Sequence, residues 1–182
     1  MPAARWSPSV TVAAIIERDG RYLLVEEQTP EGLRLNNPAG HLDAGESPLE
    51  GVIRETLEET ARPFEPEALV GLYLARLRRP ATGEDVTYLR LAFCGRVGQA
   101  EAGRALDEPI VRTLWLTAEE LRGCRERHRS ELVQRCVDDH AAGRRFPLAL
   151  IRTAASVHAP SASTADAPPA PARDGTDAPP GE

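Results

Sequence analysis

The stretch that decides the fold runs from Gly40 to Arg62, GHLDAGESPLEGVIRETLEETAR. It begins as a loop and ends as a helix whose start is well marked. Ser47 suits the N-cap, Pro48 the first helical position, and Glu50, three residues after Ser47, completes a capping box. At about 100° per residue the helix separates into two faces. Leu49, Ile53 and Leu57 form an apolar stripe expected to pack on a sheet, while Glu55, Glu58 and Glu59 fall on the opposite side. Like charges at these spacings repel by roughly a few tenths of a kcal/mol when exposed. A hard divalent cation removes that cost, because magnesium takes a few carboxylate oxygens and draws its remaining ligands from water and phosphate. Arg54 precedes the cluster and can reach Glu58 one turn later, fixing that carboxylate's orientation. An ordinary solvated helix face would carry the glutamates alone. Here a Pro38-Ala39-Gly40 turn, a Gly45-Glu46 pair, a capped helix, an Arg-Glu pair and a Glu-Glu pair fall at fixed offsets.

Outward from this segment the chain alternates strands and helices. Val10 to Glu17 is a run of β-branched residues, Arg21 to Glu27 is a second strand, and Asp19-Gly20 between them is a hairpin signal. Leu33 to Asn37 reads as a short strand before the Pro38 break. Leu69 to Leu77 and Thr87 to Val97 pair through the Pro80–Gly83 region, and Val111 to Leu116 is a further strand. Thr117 and Glu120 make a second capping box. Ser130 to Ala142 is the last helical stretch, with Gly143 at its C-terminal end. The order implies an α+β layout with the first helix on a mixed sheet. From Ser156 to Glu182 the composition shifts to Ala, Pro, Ser, Asp and Gly, which cannot bury enough surface to order itself. We therefore expect a folded domain over residues 1–155 and a disordered tail over 156–182.

Composition narrows the function. The 182 residues carry a net charge of -6, an acidic balance that argues against coating a nucleic-acid polymer. Every basic residue is arginine, so any phosphate contact uses the planar guanidinium fork. Cys94, Cys124 and Cys136 have no metal-ligand spacing and read as free thiols in a reducing compartment. No apolar run is long enough for a membrane span, and no signal-peptide order is present, so the cytoplasm is the expected compartment.

The Gly40–Arg62 segment closely resembles the Nudix box, a glycine, five residues, a glutamate, seven residues, Arg-Glu, and then Glu-Glu. Gly40, Glu46, Arg54-Glu55 and Glu58-Glu59 meet every charged position. Thr56 stands at an apolar position, Ala61 replaces the final glycine and Arg62 the last apolar residue; the glycine change should alter how the helix ends. The runs VTVAAIIERDGRYLLVEE, NPAGHLDAGES, TLWLTAEEL and RRFPLALI extend the likeness over roughly residues 8–152. They are similar to the bacterial Nudix phosphatases acting on nucleoside tri- and diphosphates and on hydroxymethylpyrimidine pyrophosphate.

The resemblance implies a mixed β-sheet sandwiched by helices with a catalytic loop-helix, and hydrolysis of a phosphoanhydride in a small phosphorylated substrate. It implies Mg²⁺, with Mn²⁺ as a substitute, held by Glu58, Glu59 and the Gly40 carbonyl. Glu55 is a further ligand or the base that deprotonates water. Arg54 belongs to the catalytic set, and Glu46 supports the loop-helix junction. Glu108 is the first candidate for an additional acid from a later loop, and Arg34 for a grip on the terminal phosphate. The family places a proline about 15 residues past the box for ADP-ribose and a tyrosine about 17 past it for dinucleoside polyphosphates. Leu77 and Arg79 stand there, which leans towards small nucleotides. The rival reading is a catalytically silent Nudix-fold sensor that binds a nucleotide; such modules generally lose box glutamates. Monomer and homodimer stay open.

Overall fold

The structure is a computed structural model that describes residues 6–79 and 82–159. Eight strands and three helices follow in the order β1 (Ser9–Ile15), β2 (Glu17–Arg18), β3 (Arg21–Thr29), β4 (Gly32–Asn36), β5 (Ala39–His41), α1 (Pro48–Thr60), β6 (Phe64–Arg79), β7 (Glu84–Val97), β8 (Ile110–Thr117), α2 (Ala118–Arg122) and α3 (Leu132–Ala141). Short 3-10 turns follow at Arg125–Arg127, Leu148–Leu150 and Ala155–His158. Residues 160–182, most of the expected tail, lie outside the described residues.

The strands expected from the sequence form two sheets. One has the order β5-β1-β7-β6 and is mixed, with β1 parallel to β7 and the other pairs antiparallel. The other joins β2, β3 and β4, with β8 on the free side of β3. The Asp19-Gly20 hairpin is present, both residues having positive φ, as the tight turn between β2 and β3 demands. β6 and β7 pair along almost their whole length.

β1 explains its own continuous apolar run. Val12, Ala14 and Ile16 pack into one cluster with Val52 of α1, Phe64 and Phe93. Ala13 and Ile15 point the other way, into a cluster with Leu24, Val133, Cys136 and Val137. Buried on both faces, the strand needs no polar alternation. The mixed sheet thus carries α1 on one face and α3 on the other, while the second sheet contributes to both clusters, through Leu23 to one and Leu24 to the other. Tyr22 and Phe93 belong to this core, and Tyr73 is half-buried with its hydroxyl donating to Asp139 at 3.0 Å. All three cysteines are free thiols. No helix among the described residues is long and apolar enough to cross a membrane.

Helix α1 corrects the expected stripe. Its buried residues are Gly51, Val52, Thr56 and Thr60, with Leu49 packed beside them, while Ile53 is exposed. Two threonines can face the sheet because their hydroxyls donate to carbonyls one turn back, Thr56 to Val52 at 2.7 Å and Thr60 to Thr56 at 2.6 Å. Glu59, seven residues after Val52, consequently lies along the packed face rather than opposite it. The capping box of Ser47 and Glu50 is formed. The other end closes on Ala61 at φ 53°, a left-handed position where the family pattern has glycine.

Across the second sheet, Glu26 is 2% exposed and accepts from Arg112 at 2.7 Å and from Arg127. This ion triad ties β3 to β8 and to the turn after α2. The Arg112 hydrogen bond keeps the Glu26 carboxyl below the usual carboxylate range.

The hairpin provides a clean test of backbone conformation. A Cβ at Gly20 would meet nothing within 4 Å, so only its φ of +75° opposes a side chain. Gly20→Ala should cost about 1 kcal/mol, seen as a melting temperature lower by roughly 2–4 °C. An unchanged melting temperature would show that the turn relaxes freely.

Candidate active site

The site is built where β5 runs alongside α1. Arg54 organises it. Its Nε and Nη2 donate to Glu46 at 3.0 and 2.7 Å, and its Nη1 donates to Glu55 at 2.8 Å and Glu58 at 3.0 Å. Nη2 also donates to the His41 carbonyl at 3.0 Å and lies 3.6 Å from Asp43. One guanidinium thereby pins the loop to the helix. Hydrogen bonding to Glu46 is the largest influence raising the Arg54 pKa further above its ordinary value.

Each carboxylate has a different environment. Glu46 accepts from Arg54 and from the Asp43 amide at 2.7 Å, and these bonds hold it below the usual range, the Arg54 contact foremost. Glu55 is pushed up by burial, partly offset by Arg54. Glu59 is pushed well up by burial, although the Ala39 amide donates to it at 2.8 Å. Glu55 and Glu59 therefore flank β5 from one side, with Glu58 beside them on the solvent edge of Arg54.

Gly40 is required by contact rather than by a turn. A Cβ there would sit 2.1 Å from the Glu55 carboxyl carbon. Any side chain would evict that carboxylate. Gly51 does the same for Glu46, whose Oε1 would lie 2.8 Å from an added Cβ.

The remaining expected residues divide. Glu108 is exposed, on a loop that reaches α1 through the Asp107 amide donating to the Glu58 carbonyl at 3.1 Å. Arg34 lies 3.8 Å from Glu31 and donates to the Leu33 carbonyl at 3.2 Å. Among the described residues no three His, Cys, Asp or Glu side chains are already gathered as a metal cage. The carboxylates converge on Arg54 instead. An oxygen-only donor set of Glu55, Glu58, Glu59 and the Gly40 carbonyl is nonetheless the chemistry that a hard divalent cation prefers.

Beside this cluster opens a cavity of about 430 Å³ between the two sheets and the start of α3. Gly40 and His41 form its edge nearest the carboxylates, and Arg76, Arg79, Arg90 and Arg129 line it. These arginines are cations that the fold gathers at the cavity. They escaped the sequence reading because each sits within a strand or a connection with no motif around it. Leu77 and Arg79, the two positions the family resemblance singled out for substrate type, both line the cavity.

Comparisons with known proteins bear on the family and the fold. The NUDIX domain model matches residues 6–136. "Phosphatase NudJ" of Escherichia coli (strain K12) is 31% identical over 146 residues, covering 80% of this chain and 92% of that protein. A NUDIX hydrolase from Nitrosomonas europaea superposes with a TM-score of 0.74 at 45% identity, covering 81% of this chain and 98% of that one. A UDP-X diphosphatase structure at 19% identity and a TM-score of 0.62 shares the fold. The chain belongs to the Nudix hydrolase family.

Proposed function

We propose that the protein is a magnesium-dependent hydrolase of phosphoanhydride bonds in small nucleoside di- and triphosphates or related pyrophosphates such as hydroxymethylpyrimidine pyrophosphate. The observation that carries this reading is the placement of Glu55 and Glu59 against β5, with Glu58 held beside them by Arg54, next to an arginine-lined cavity. The name of the NudJ relative, a phosphatase, supports release of phosphate.

Glu58, Glu59 and the Gly40 carbonyl would hold Mg²⁺ or Mn²⁺. The ion would polarise a phosphoryl oxygen, acidify water and neutralise developing charge. The chain supplies the rest. Glu55, with its pKa raised by burial, takes the proton of the attacking water. The water oxygen bonds to phosphorus as the bond from phosphorus to the bridging oxygen breaks, and that oxygen leaves with the remaining phosphate. Arg54 holds Glu55 and Glu58 in place throughout, and cavity arginines offset the substrate's charge.

Three outcomes test this. Product analysis over a nucleotide panel should show magnesium-dependent phosphate release, falling at least about a hundredfold in Glu58→Gln. Tight nucleotide binding without turnover would instead make the protein a sensor. Gly40→Ala should fold yet lose a comparable factor, because its methyl displaces Glu55; retained activity would remove Glu55 from the mechanism.

The third concerns pH. Burial raises the folded-state pKa of Glu55 and Glu59, so the folded protein holds their protons more tightly than the unfolded chain. That contribution is present below the ordinary glutamate pKa of about 4.3 and is lost as pH rises through the raised values. Magnesium, binding the ionised forms, should restore stability. Its melting-temperature increase should be larger at about pH 8 than at about pH 5. A shift equal at both values would place the ion elsewhere.

A further inference from the structure

The floor of the cavity holds hydrogen-bonding groups that the protein does not use. Arg90, on β7, is buried, and its Nε and Nη1 have no hydrogen-bond partner among the described residues. The thiol of Cys136 lies beside it but is only a weak acceptor. Thr11 Oγ1 and Asn36 Oδ1, both on residues lining the same cavity, are likewise buried and without a hydrogen bond, and Glu27 Oε1 has none either, although Arg129 Nε lies 3.3 Å from it. Thr11 is the Cα partner of Arg90 across the β1–β7 ladder, so the two share one face of the mixed sheet. Glu27 and Asn36 close the floor from the second sheet. Five of the eight buried side-chain polar atoms without a hydrogen bond in the described residues belong to these four side chains.

Leaving such groups unpaired costs roughly 1–3 kcal/mol each, and more for a charged one. A native fold keeps them where a ligand or water completes them. The other cavity arginines are already engaged, Arg76 with Asp85 at 2.6 Å, Arg79 with Glu84 at 2.7 Å and Arg129 with Glu27 at 3.3 Å. Arg90 alone among them brings a buried cation without an ion-pair partner. Above the floor the walls turn apolar at Ala39, Ala75, Leu77 and Leu132, with Tyr88 and His41 at 6.1 Å between ring centroids. Apolar walls over a polar floor suit a flat ring with a polar edge.

We propose that this floor reads the ring of the substrate, and that the preferred class is an oxo-ring nucleotide, whose edge presents a carbonyl beside a ring N–H. The inference rests on the hydrolase reading for the position of the phosphates. Arg90 donates to the carbonyl oxygen, which offers two lone pairs to two unspent donors, where the ring nitrogen of an amino-substituted base offers one. Glu27 or Asn36 accepts from the ring N–H. Hypoxanthine, guanine and uracil carry this edge; adenine and cytosine present an amino group and a bare nitrogen in its place.

Calorimetric titration of the full-length protein, with magnesium, tests the idea using nucleoside monophosphates, which contain no anhydride to cut. Inosine monophosphate should bind about tenfold more tightly than adenosine monophosphate, and uridine more tightly than cytidine monophosphate. Arg90→Gln should bring each pair to within about twofold, with thermal unfolding confirming that the variant folds. Equal affinity for both members of a pair in the unmodified protein would overturn the proposal, whatever the variant does. So would an Arg90→Gln variant that weakens all four equally, which would assign Arg90 to phosphate, or a protein that binds none of them. Absence of hydrolysis would sink the enzyme reading and leave this binding result standing. Turnover without ring preference would do the reverse.

Discussion

The local structure depends on one side chain, Arg54, and on the charge it balances. Asp43, Glu46, Glu55 and Glu58 lie within reach of a single guanidinium. Without it those carboxylates would repel, and the loop from His41 to Glu46 would lose its main tie to α1. Removing one member of a partly buried ion cluster is more damaging than its exposed counterpart, because the others stay desolvated and unpaired. The rigid fork matters as well as the charge, since five donors in a plane can serve three carboxylates and a carbonyl at once. The same bonds that fix the loop also preset the spacing of the carboxylates on which chemistry would rely.

Much of this was legible beforehand. The capping box at Ser47, the hairpin at Asp19-Gly20 and the second box at Thr117 are encoded within four residues each, and short-range chemistry survives tertiary packing. The contact of Arg54 with Glu58 followed from their spacing of one helical turn. What failed was the choice of the helix face that is buried. Periodicity weighs Ile53 and Leu57 as core and Thr56 and Thr60 as surface. It cannot see that threonine hydroxyls satisfy themselves on the preceding turn and so enter an apolar interface at little cost.

The division into two sheets was also invisible to local pattern, because it is a matter of which strands meet. β3 is paired on both sides, by β4 and by β8, and the cavity exists because this sheet stands apart from β1 and β7. Arginine at position 90 shows the limit most clearly. Within its strand it reads as one outward-facing residue in an alternating run. Only the fold reveals it as a charge deep between two sheets, coupled to Glu27 and Glu59.

The parallel pairing of β1 with β7 has a consequence for how the molecule is made. β1 emerges early during synthesis, yet its partner on that side arrives only after α1 and β6. β6 and β7 can zip together through their own connection, whereas β1 must wait for a loop to close across the whole catalytic segment, a late and entropically expensive event. Thr11 and Arg90 face each other across that last junction. The cavity floor is therefore completed only when the chain ends its search, so a partly folded molecule holding a formed carboxylate helix has no finished place for a substrate ring.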